Sequence, residues 1–340
     1  MVKKGIAVFV IQAFFWWSLI FLPGEGWGDP ILEGAKKEGQ VSYSTPIELP
    51  ISTALGALFE KKYPFIKVSV TRLGSEKAAT RLTSEARAGK VSVDVVTQSG
   101  FDFYGVLQKG IFERYNSPER TAFSAEYKDD QGYWVTHTGI LNVISYNTKL
   151  VPPAEVPKSF WDLTDPKWKG KIIIDENESK WMAGMISYYG EAKVMDLMRK
   201  LAAQNLQFRA GHPVIENMVA AGEFAIGAVD FASGVEMKKK QGGPIDWVGA
   251  EPIIVLTLSL ALVKGAPHPN AGKLFIDFLL SREGQQVLAT DGYYYSPRKD
   301  VQSPIMKQVS PQMKVIPLPM DLAKRYNEYF QMYRKVMGLP

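Results

Sequence analysis

Three consecutive tyrosines, Tyr293 to Tyr295, stand in the segment DGYYYSPRKD. Phenolate oxygens are hard ligands that suit ferric iron. The run therefore poses a question about chemistry: it belongs either to an iron site or to a structural feature. Other parts of the sequence have to decide between the two.

The motifs of common enzyme classes are absent from the sequence. The chain has no G-x-S-x-G, no H-E-x-x-H, no P-loop and no G-x-G-x-x-G after a strand. It has no cysteine, which excludes thiol catalysis and thiolate metal ligands. The histidines lie far apart, and we expect surface or capping roles for His212 in GHPV and His268 in APHPN. The sequence therefore predicts a protein that is not an enzyme and has no cofactor or metal site of a recognised type.

Polar loops follow several predicted strands, and they are the candidate ligand-binding residues. In open α/β sheets ligands bind at the carboxyl ends of the strands, near helix N-termini. Hydroxyl and amide groups there, together with free backbone N–H groups, can hold an oxyanion. Each loop alone is equally an ordinary helix cap, but their number favours a binding cleft. The candidates are Ser44, Thr45, Gly74, Ser75, Gln98, Ser99, Asn177, Ser179, Asp230 and Ser233.

Short β-rich runs alternate with amphipathic stretches along the chain, which predicts an α/β fold with mostly parallel strands. Ser75 is the predicted N-cap of one helix, and Gly89 follows its end. A proline-rich stretch after Ser145 indicates a boundary between two lobes. The predicted strands are GQVSYST, KVSVTRLG, VDVVTQ, KIIIDE, FAIGAVDF, IDWVGA and IIVLTLSLALVKG. The predicted helices are LPISTALGALFEKKYP, SEKAATRLTSEARAG, residues 101–109, 179–203, PVIENMVAAGE, NAGKLFIDFLLS, EGQQVLA and 321–337.

The composition of the 340 residues is that of a globular protein with a mild excess of positive charge, +5. No Arg-rich arm or basic aromatic stripe suggests nucleic acid as a partner, whereas the charge agrees with an anionic small ligand. Lys3 and Lys4 precede an apolar run from Gly5 to Pro23, and the small-x-small sequence Gly26-Trp27-Gly28 follows it. This order predicts a cleaved signal peptide over residues 1–28. A retained membrane anchor is the alternative. Export without cysteine fits a soluble protein of a bacterial periplasm.

Three segments resemble the bacterial extracellular solute-binding proteins that serve ferric-ion, phosphonate, thiamine and sugar-phosphate ABC importers. They are FEKKYPFIKVSVTRLGSEKAATRLTSEARAGKVSVDVV, YNTKL with VPKSFWDLTDPKWKGKI, and HPNAGKLFIDFLLSREGQQ with SPRKD. The resemblance implies a type 2 periplasmic binding protein fold, in which two α/β lobes close on a ligand held between them. It implies lobe one at 29–140 and 255–318, lobe two at 141–254, and a C-terminal helix at 319–340.

The same resemblance bears on the tyrosine run. In ferric-binding relatives the adjacent tyrosines follow the strand that matches FAIGAV, where this chain has Asp230 to Ser233. The resemblance therefore disfavours iron held by phenolates. It implies packing roles for the run and places Tyr293 and Tyr294 at the rim of the cleft.

The resulting hypothesis is a monomeric periplasmic receptor. It captures a small anionic solute, such as a phosphonate or a sugar phosphate, and delivers it to an ABC permease in the inner membrane. The alternative within the class is a ferric iron-binding protein. An exported α/β hydrolase is the alternative from another class.

Overall fold

The computed structural model describes residues 29–340, so the predicted signal peptide lies outside the described residues. Eleven strands belong to one connected sheet. They are β1 (Gln40–Thr45), β2 (Lys67–Arg72), β3 (Val95–Ser99), β4 (Phe112–Glu113), β5 (Val135–Asn147), β6 (Ile172–Asp175), β7 (Gln207–Arg209), β8 (Ile226–Phe231), β9 (Ile245–Val248), β10 (Ile253–Val263) and β11 (Val315–Pro317).

Helices cover the sheet and connect most of its strands. They are α1 (Pro30–Glu38), α2 (Leu49–Lys62), α3 (Ser75–Arg87), α4 (Gly100–Leu107), α5 (Ser179–Tyr189), α6 (Glu191–Ala202), α7 (His212–Ala221), α8 (Ala232–Lys240), α9 (Pro269–Leu280), α10 (Arg282–Thr290) and α11 (Tyr326–Met337). From residue 29 onward, no helix combines the length and the apolar character that a membrane crossing needs.

The strand order is β2-β1-β3-β10-β5-β8-β6-β7. The strands β2, β1 and β3 are parallel to one another, and so are β8, β6 and β7. Among the eleven strands of residues 29–340, every antiparallel pairing includes β5 or β10. The predicted α/β fold is therefore confirmed. Parallel pairing holds at each end of the sheet, and the reversal occurs at the two central strands.

The central strands β5 and β10 join the two ends of the sheet. The first half of β5 pairs with β10, and its second half, from Asn142 on, pairs with β8 and β9. The register of the β5–β10 ladder shifts between Leu258 and Ser259, which marks a bulge. Sequence analysis did not predict β5, because the polar residues in its first half interrupt the run of apolar residues expected of a buried strand. Thr136, His137 and Thr138 are all buried.

Separate hydrophobic cores lie at the two ends of the sheet. One core joins α2, α9 and β1 around Phe59, Phe275 and Tyr43, whose rings meet edge to face. Another joins α5 and α6 to β6 around Trp181 and Phe160, with ring centroids 4.7 Å apart. Two separate cores agree with a two-lobed architecture.

The C-terminal helix α11 packs on the second of these cores. Tyr329 and Tyr333 are buried there, and the Tyr333 hydroxyl donates a hydrogen bond to the carbonyl of Asp175 at 2.7 Å. The predicted helix over 321–337 begins later than expected, because residues Met320–Arg325 form a 3-10 turn.

Candidate functional site

A cavity of about 650 Å³ lies where the carboxyl ends of the strands from both ends of the sheet meet. Residues that follow β1, β2 and β3 form one wall, and residues that follow β7 and β8 form the other. Side chains of the central strands, Ile140 from β5 and Leu256 and Leu258 from β10, also line it. This is the position at which an open α/β sheet binds its ligands.

Four helices begin at this cavity. The first residues of α3, α4, α7 and α8, or the residues just before them, line it. Within residues 29–340, no N-cap side chain makes a capping hydrogen bond in these four helices. The N–H groups of their first residues are therefore available to a ligand. The exceptions are in α7, where Pro213 has no N–H and the Val214 N–H donates to the Gly211 carbonyl at 3.0 Å.

Five of the candidate ligand-binding residues line the cavity: Gly74, Ser75, Ser99, Ser233 and Tyr294. Asn177 lines a smaller adjoining cavity. Thr45, Gln98, Ser179 and Asp230 are fully buried. Ser44 lines a different small cavity beside Tyr43 and Arg81.

The N-cap expected at Ser75 is corrected by the structure. Gly74 is the N-cap of α3, and Ser75 is its first residue. The Ser75 hydroxyl instead accepts a hydrogen bond from the Ser99 N–H at 2.9 Å. It thereby joins the beginnings of α3 and α4, which fixes two of the four N-termini relative to each other.

An ion pair crosses from one wall of the cavity to the other. Lys180 of α5 lies 3.0 Å from the Asp102 carboxylate and 3.3 Å from the Ser99 hydroxyl, both at the beginning of α4. The Ser99 hydroxyl also donates to Asp102 at 2.5 Å. The Asp102 carboxylate thus accepts hydrogen bonds from two donors that face the cavity, Lys180 and Ser99.

The three tyrosines of the run have different surroundings. Tyr293 has φ +54° and packs against the core around Val255 and Ile305. Tyr294 is buried, and its hydroxyl donates to Glu48 at the cavity wall. The Tyr295 hydroxyl lies 3.3 Å from that of Tyr127. The three phenols therefore do not converge on one point.

Within residues 29–340, no three His, Cys, Asp or Glu side chains are grouped so that they could hold a metal ion.

A buried cluster of acids surrounds His212 on the second wall. The His212 ring stacks on Phe231 with 3.5 Å between centroids. Its Nε2 lies 3.4 Å from Glu178 Oε1, and its Nδ1 lies 3.7 Å from Asp230 Oδ1. Asp230 is held by the Ser145 hydroxyl, which donates to it at 2.7 Å. We expected a surface or capping role for His212. The structure instead places its ring, which is largely buried, in the lining of the cavity.

Burial and the charges of neighbouring side chains shift the pKa values of Glu178, Glu216 and His212. Burial raises the pKa of Glu178 to about 8, and His212 opposes this shift. Burial also raises the pKa of Glu216 to about 8, and Asp230 adds to the effect. Burial lowers the pKa of His212, but the Glu178 and Asp230 carboxylates outweigh it and raise the pKa to about 9. The shifts of Glu178 and His212 depend on each other, because each charged group favours the charged form of the other. All three pKa values lie above their ordinary ones, so the native cluster holds protons at neutral pH that unfolded carboxyls have released.

Several cavity residues escaped sequence analysis. Arg72, Lys180 and Glu216 lie inside predicted elements rather than in the loops between them. His212 follows β7, a strand of three residues that is too short to show the alternation of apolar and polar residues by which strands are predicted. A basic residue at the carboxyl end of a strand, such as Arg72, is the one signal that could have identified a cavity residue.

Comparison with known proteins agrees with this geometry. A curated relative, "Iron uptake protein A1" of Synechocystis, is 24% identical over 249 residues, which are 68% of each chain. The "Putative 2-aminoethylphosphonate-binding periplasmic protein" of Salmonella typhi is 26% identical over 167 residues, 46% of this chain and 49% of that protein.

Among solved structures, the periplasmic binding protein AfuA from Actinobacillus pleuropneumoniae, with exogenous fructose-6-phosphate bound, superimposes with a TM-score of 0.76. The match covers 89% of this chain and 99% of AfuA at 22% identity, so it shows the shared two-lobed fold. The family described as bacterial extracellular solute-binding protein matches residues 92–321, which include most of the cavity wall. With the cavity between two α/β halves, this match shows that the chain belongs to the bacterial extracellular solute-binding proteins.

Proposed function

We propose that the protein is the periplasmic receptor of an ABC importer and that it binds a small oxyanion, such as a phosphonate or a sugar phosphate. The observation that carries the proposal is the convergence of four uncapped helix N-termini on one cavity. Free N–H groups and helix dipoles at such ends favour negative charge. Four of them directed at one space favour an anion more strongly than any one does alone.

The side chains of the cavity support the same ligand charge. Arg72, Lys77, Lys180 and Lys238 line it, together with His212. Four acids also line it, namely Glu48, Glu76, Asp102 and Glu216. Asp102 is paired with Lys180, and Glu216, with a pKa raised to about 8, is mostly protonated at pH 7. With Glu216 protonated, the basic side chains outnumber the charged acids by a small margin.

The size of the cavity agrees with a molecule rather than a bare ion. Small-molecule sites typically occupy about 300–1,000 Å³, and this cavity has about 650 Å³. Ferric iron is the alternative that the similarity to iron-binding relatives suggests. The divergent phenols of residues 293–295 do not favour it.

We further propose that the two halves close around the ligand and that the closed protein, as a monomer, docks on a membrane permease. The central strands β5 and β10 would act as the hinge, because they are the connections between the two ends of the sheet. The lobe boundaries at 140/141 and 254/255 fall within β5 and at the beginning of β10. Ligand binding then acts by shifting an open–closed equilibrium.

Thermal unfolding with a panel of candidate ligands tests the proposal. Inorganic phosphate, sulfate, 2-aminoethylphosphonate, fructose 6-phosphate and ferric citrate are added separately to the mature protein. A ligand specific for the native state at a hundredfold excess over Kd stabilises it by about 2.7 kcal/mol. We expect at least one phosphorus oxyanion to raise Tm and to remain chemically unchanged in the mixture.

Variants of the first wall complete this test. Ser75→Ala and Ser99→Ala should weaken binding of that oxyanion and leave the circular dichroism spectrum unchanged. Ser84→Ala, near the other end of α3, is the matched control and should bind as the parent does. A response to ferric citrate alone, turnover of an ester or phosphate, or unchanged affinity in both cavity variants would each count against the proposal.

A further inference from the structure

A second cavity, of about 140 Å³, adjoins the main one. The two share Lys180, His212, Phe231 and Leu256 as lining residues. The second cavity lies at the beginning of α5, where Glu178 and Trp181 line it. Its other lining residues are Asn142, Asn177 and Leu318. A ligand held at the helix N-termini can therefore extend a part of itself into this space.

Polar atoms without partners border this second cavity. Trp181 and Glu178 are only 1% and 4% exposed. Within residues 29–340, neither the Trp181 Nε1–H nor the Glu178 Oε1 atom has a hydrogen-bond partner, and the same holds for His212 Nδ1. Burying a polar group without a hydrogen-bond partner is unfavourable. Glu178 Oε1 and His212 Nδ1 keep only long ionic contacts, of 3.4 Å to His212 Nε2 and 3.7 Å to Asp230 Oδ1. The unpartnered atoms of Trp181 and Glu178, which both line this cavity, indicate that something polar belongs there.

The chemistry of the unpartnered atoms restricts what that group is. An indole N–H can only donate a hydrogen bond, so it needs an acceptor. A carboxyl oxygen that bears no proton accepts, so it needs a donor. A hydroxyl group supplies both, whereas an ammonium group cannot accept from Trp181 and an alkyl group satisfies neither atom. The rest of the lining is mixed. Phe231, Leu256 and Leu318 suit the carbon atoms that carry the hydroxyls, and the polar side chains beside them are Asn142, Asn177 and Lys180.

We propose that Glu178, Trp181 and His212 form a second subsite that binds a hydroxyl-bearing tail of the same anionic ligand. The inference rests on the proposed oxyanion site and narrows its ligand to a phosphorylated or phosphonylated polyol or sugar. Aminoalkyl and plain alkyl oxyanions are then poorer ligands. A site built to hydrogen-bond a hydroxyl group discriminates strongly against analogues that lack it, because its buried polar atoms then stay unpaired.

Matched phosphate esters test the subsite. In a three-carbon and a six-carbon series, calorimetry compares the polyol phosphate with the alkyl phosphate and the terminal aminoalkyl phosphate of the same chain length. Inorganic phosphate reports on the anion site alone. In at least one series we expect the polyol phosphate to bind about tenfold more tightly than both analogues.

Two tryptophan variants separate the subsite from general packing. Trp181→Phe removes the indole N–H of the subsite and should reduce the preference for the polyol by about fivefold or more, with inorganic phosphate binding unchanged. Trp168→Phe is the matched control, because Trp168 is buried in the same core but lies outside both cavity linings. Among the described residues its Nε1 also has no hydrogen-bond partner. This control should keep the preference. If Trp181→Phe does not fold by circular dichroism, Glu178→Met provides the same comparison.

The outcomes are distinct. If inorganic phosphate binds but polyols show no preference in either series, the subsite assignment is wrong and the oxyanion site stands. The subsite assignment is equally wrong if both tryptophan variants lose the preference to the same extent. If no phosphate compound binds at all, the proposed function and the subsite assignment are both wrong.

Discussion

Asp102 occupies two hydrogen-bond donors that an anionic ligand would use. Its carboxylate accepts from both Lys180 and Ser99 at the cavity wall. The ligand-free protein thus keeps an internal anion where we propose an external one binds. The ligand has to compete with Asp102, which lowers its net affinity.

Replacing Asp102 with Asn should therefore strengthen binding of the oxyanion. We expect a several-fold lower Kd for inorganic phosphate by calorimetry at low ionic strength, with a steeper dependence on salt. The variant should also lose about 0.3–1 kcal/mol of stability, because Asp102 lies in the first turn of α4. Asp196→Asn, which breaks the exposed Asp196–Lys200 pair, is the control and should leave Kd unchanged. Weaker binding in Asp102→Asn would show that the pair organises Lys180 instead of blocking it.

The cluster around His212 predicts that the protein loses stability as pH rises. Glu178 and Glu216 have native pKa values near 8, far above those of unfolded carboxyls, so the native state holds their protons longer. His212 also binds its proton more tightly in the native state. Wherever the native state binds more protons, the free energy of unfolding falls with increasing pH.

We therefore expect Tm to decrease between about pH 5 and pH 9. Each group of this kind contributes a slope of at most about 1.4 kcal/mol per pH unit within its own window. In Glu178→Gln, which resembles the neutral acid, the slope should become shallower. Glu223→Gln, at an exposed turn, should retain the parental slope. Calorimetric scans at a series of pH values measure this, and equal slopes in all three proteins would contradict the pKa assignment.

At the scale of elements, two helical glycines make opposite contributions to stability. A Cβ at Gly284, in the first turn of α10, would lie 2.3 Å from the carbonyl oxygen of Phe278. The turn between α9 and α10 therefore needs the missing side chain. At Gly105, inside α4, a Cβ would meet no atom of residues 29–340 within 4 Å.

Alanine at these two positions gives a matched prediction. Gly284→Ala should lower the free energy of unfolding by about 1–3 kcal/mol, because backbone atoms have to move apart. Gly105→Ala should raise it by about 0.5–1 kcal/mol, because glycine loses more conformational freedom than alanine in a helix. Urea denaturation followed by circular dichroism measures both values. A neutral Gly284→Ala would show that the α9–α10 turn relaxes easily.

Helices and strands whose apolar residues recur at regular spacing could be predicted from the sequence. Elements without such a pattern could not. The strand VDVVTQ and the helix NAGKLFIDFLLS appear where the pattern of apolar residues places them. The strand β5 was missed because Thr136 and Thr138 are buried polar residues whose hydroxyls find partners in Ser259 and in the carbonyl of Tyr295. Those partners are distant in sequence, so no local pattern reveals them.

The residues of the candidate site also divide into those that the sequence could predict and those that it could not. The loops that bring Gly74, Ser75 and Ser99 to the cavity follow from strand-then-helix order. Lys180 and Glu216 reach it from inside helices, and only the packing of the two halves against each other turns those side chains toward the cavity. The tertiary arrangement, not local propensity, decides which helix residues line the cavity.

At the scale of the whole molecule, the proposed closure has a measurable consequence. Binding of an oxyanion that raises Tm should reduce the radius of gyration in small-angle scattering, because the two halves approach each other. Amide exchange should slow most at the beginnings of α3, α4, α7 and α8. In Lys180→Met, which lacks the ion pair across the cavity, the ligand-free protein should be more open than the parent. Identical scattering curves for parent and variant, with and without ligand, would contradict a closing motion.

The order of strands in the sheet also governs how a newly made chain can fold. β10 lies between β3 and β5, yet it is synthesised long after both. Until it arrives, β3 and β5 have no neighbour on the sides that will face it, and bare strand edges invite association with other chains. Contacts between such distant segments also form slowly. The unfolded protein is thus exposed to misassembly until its last third reaches the compartment in which it folds, and we expect it to depend on a holding chaperone during that interval.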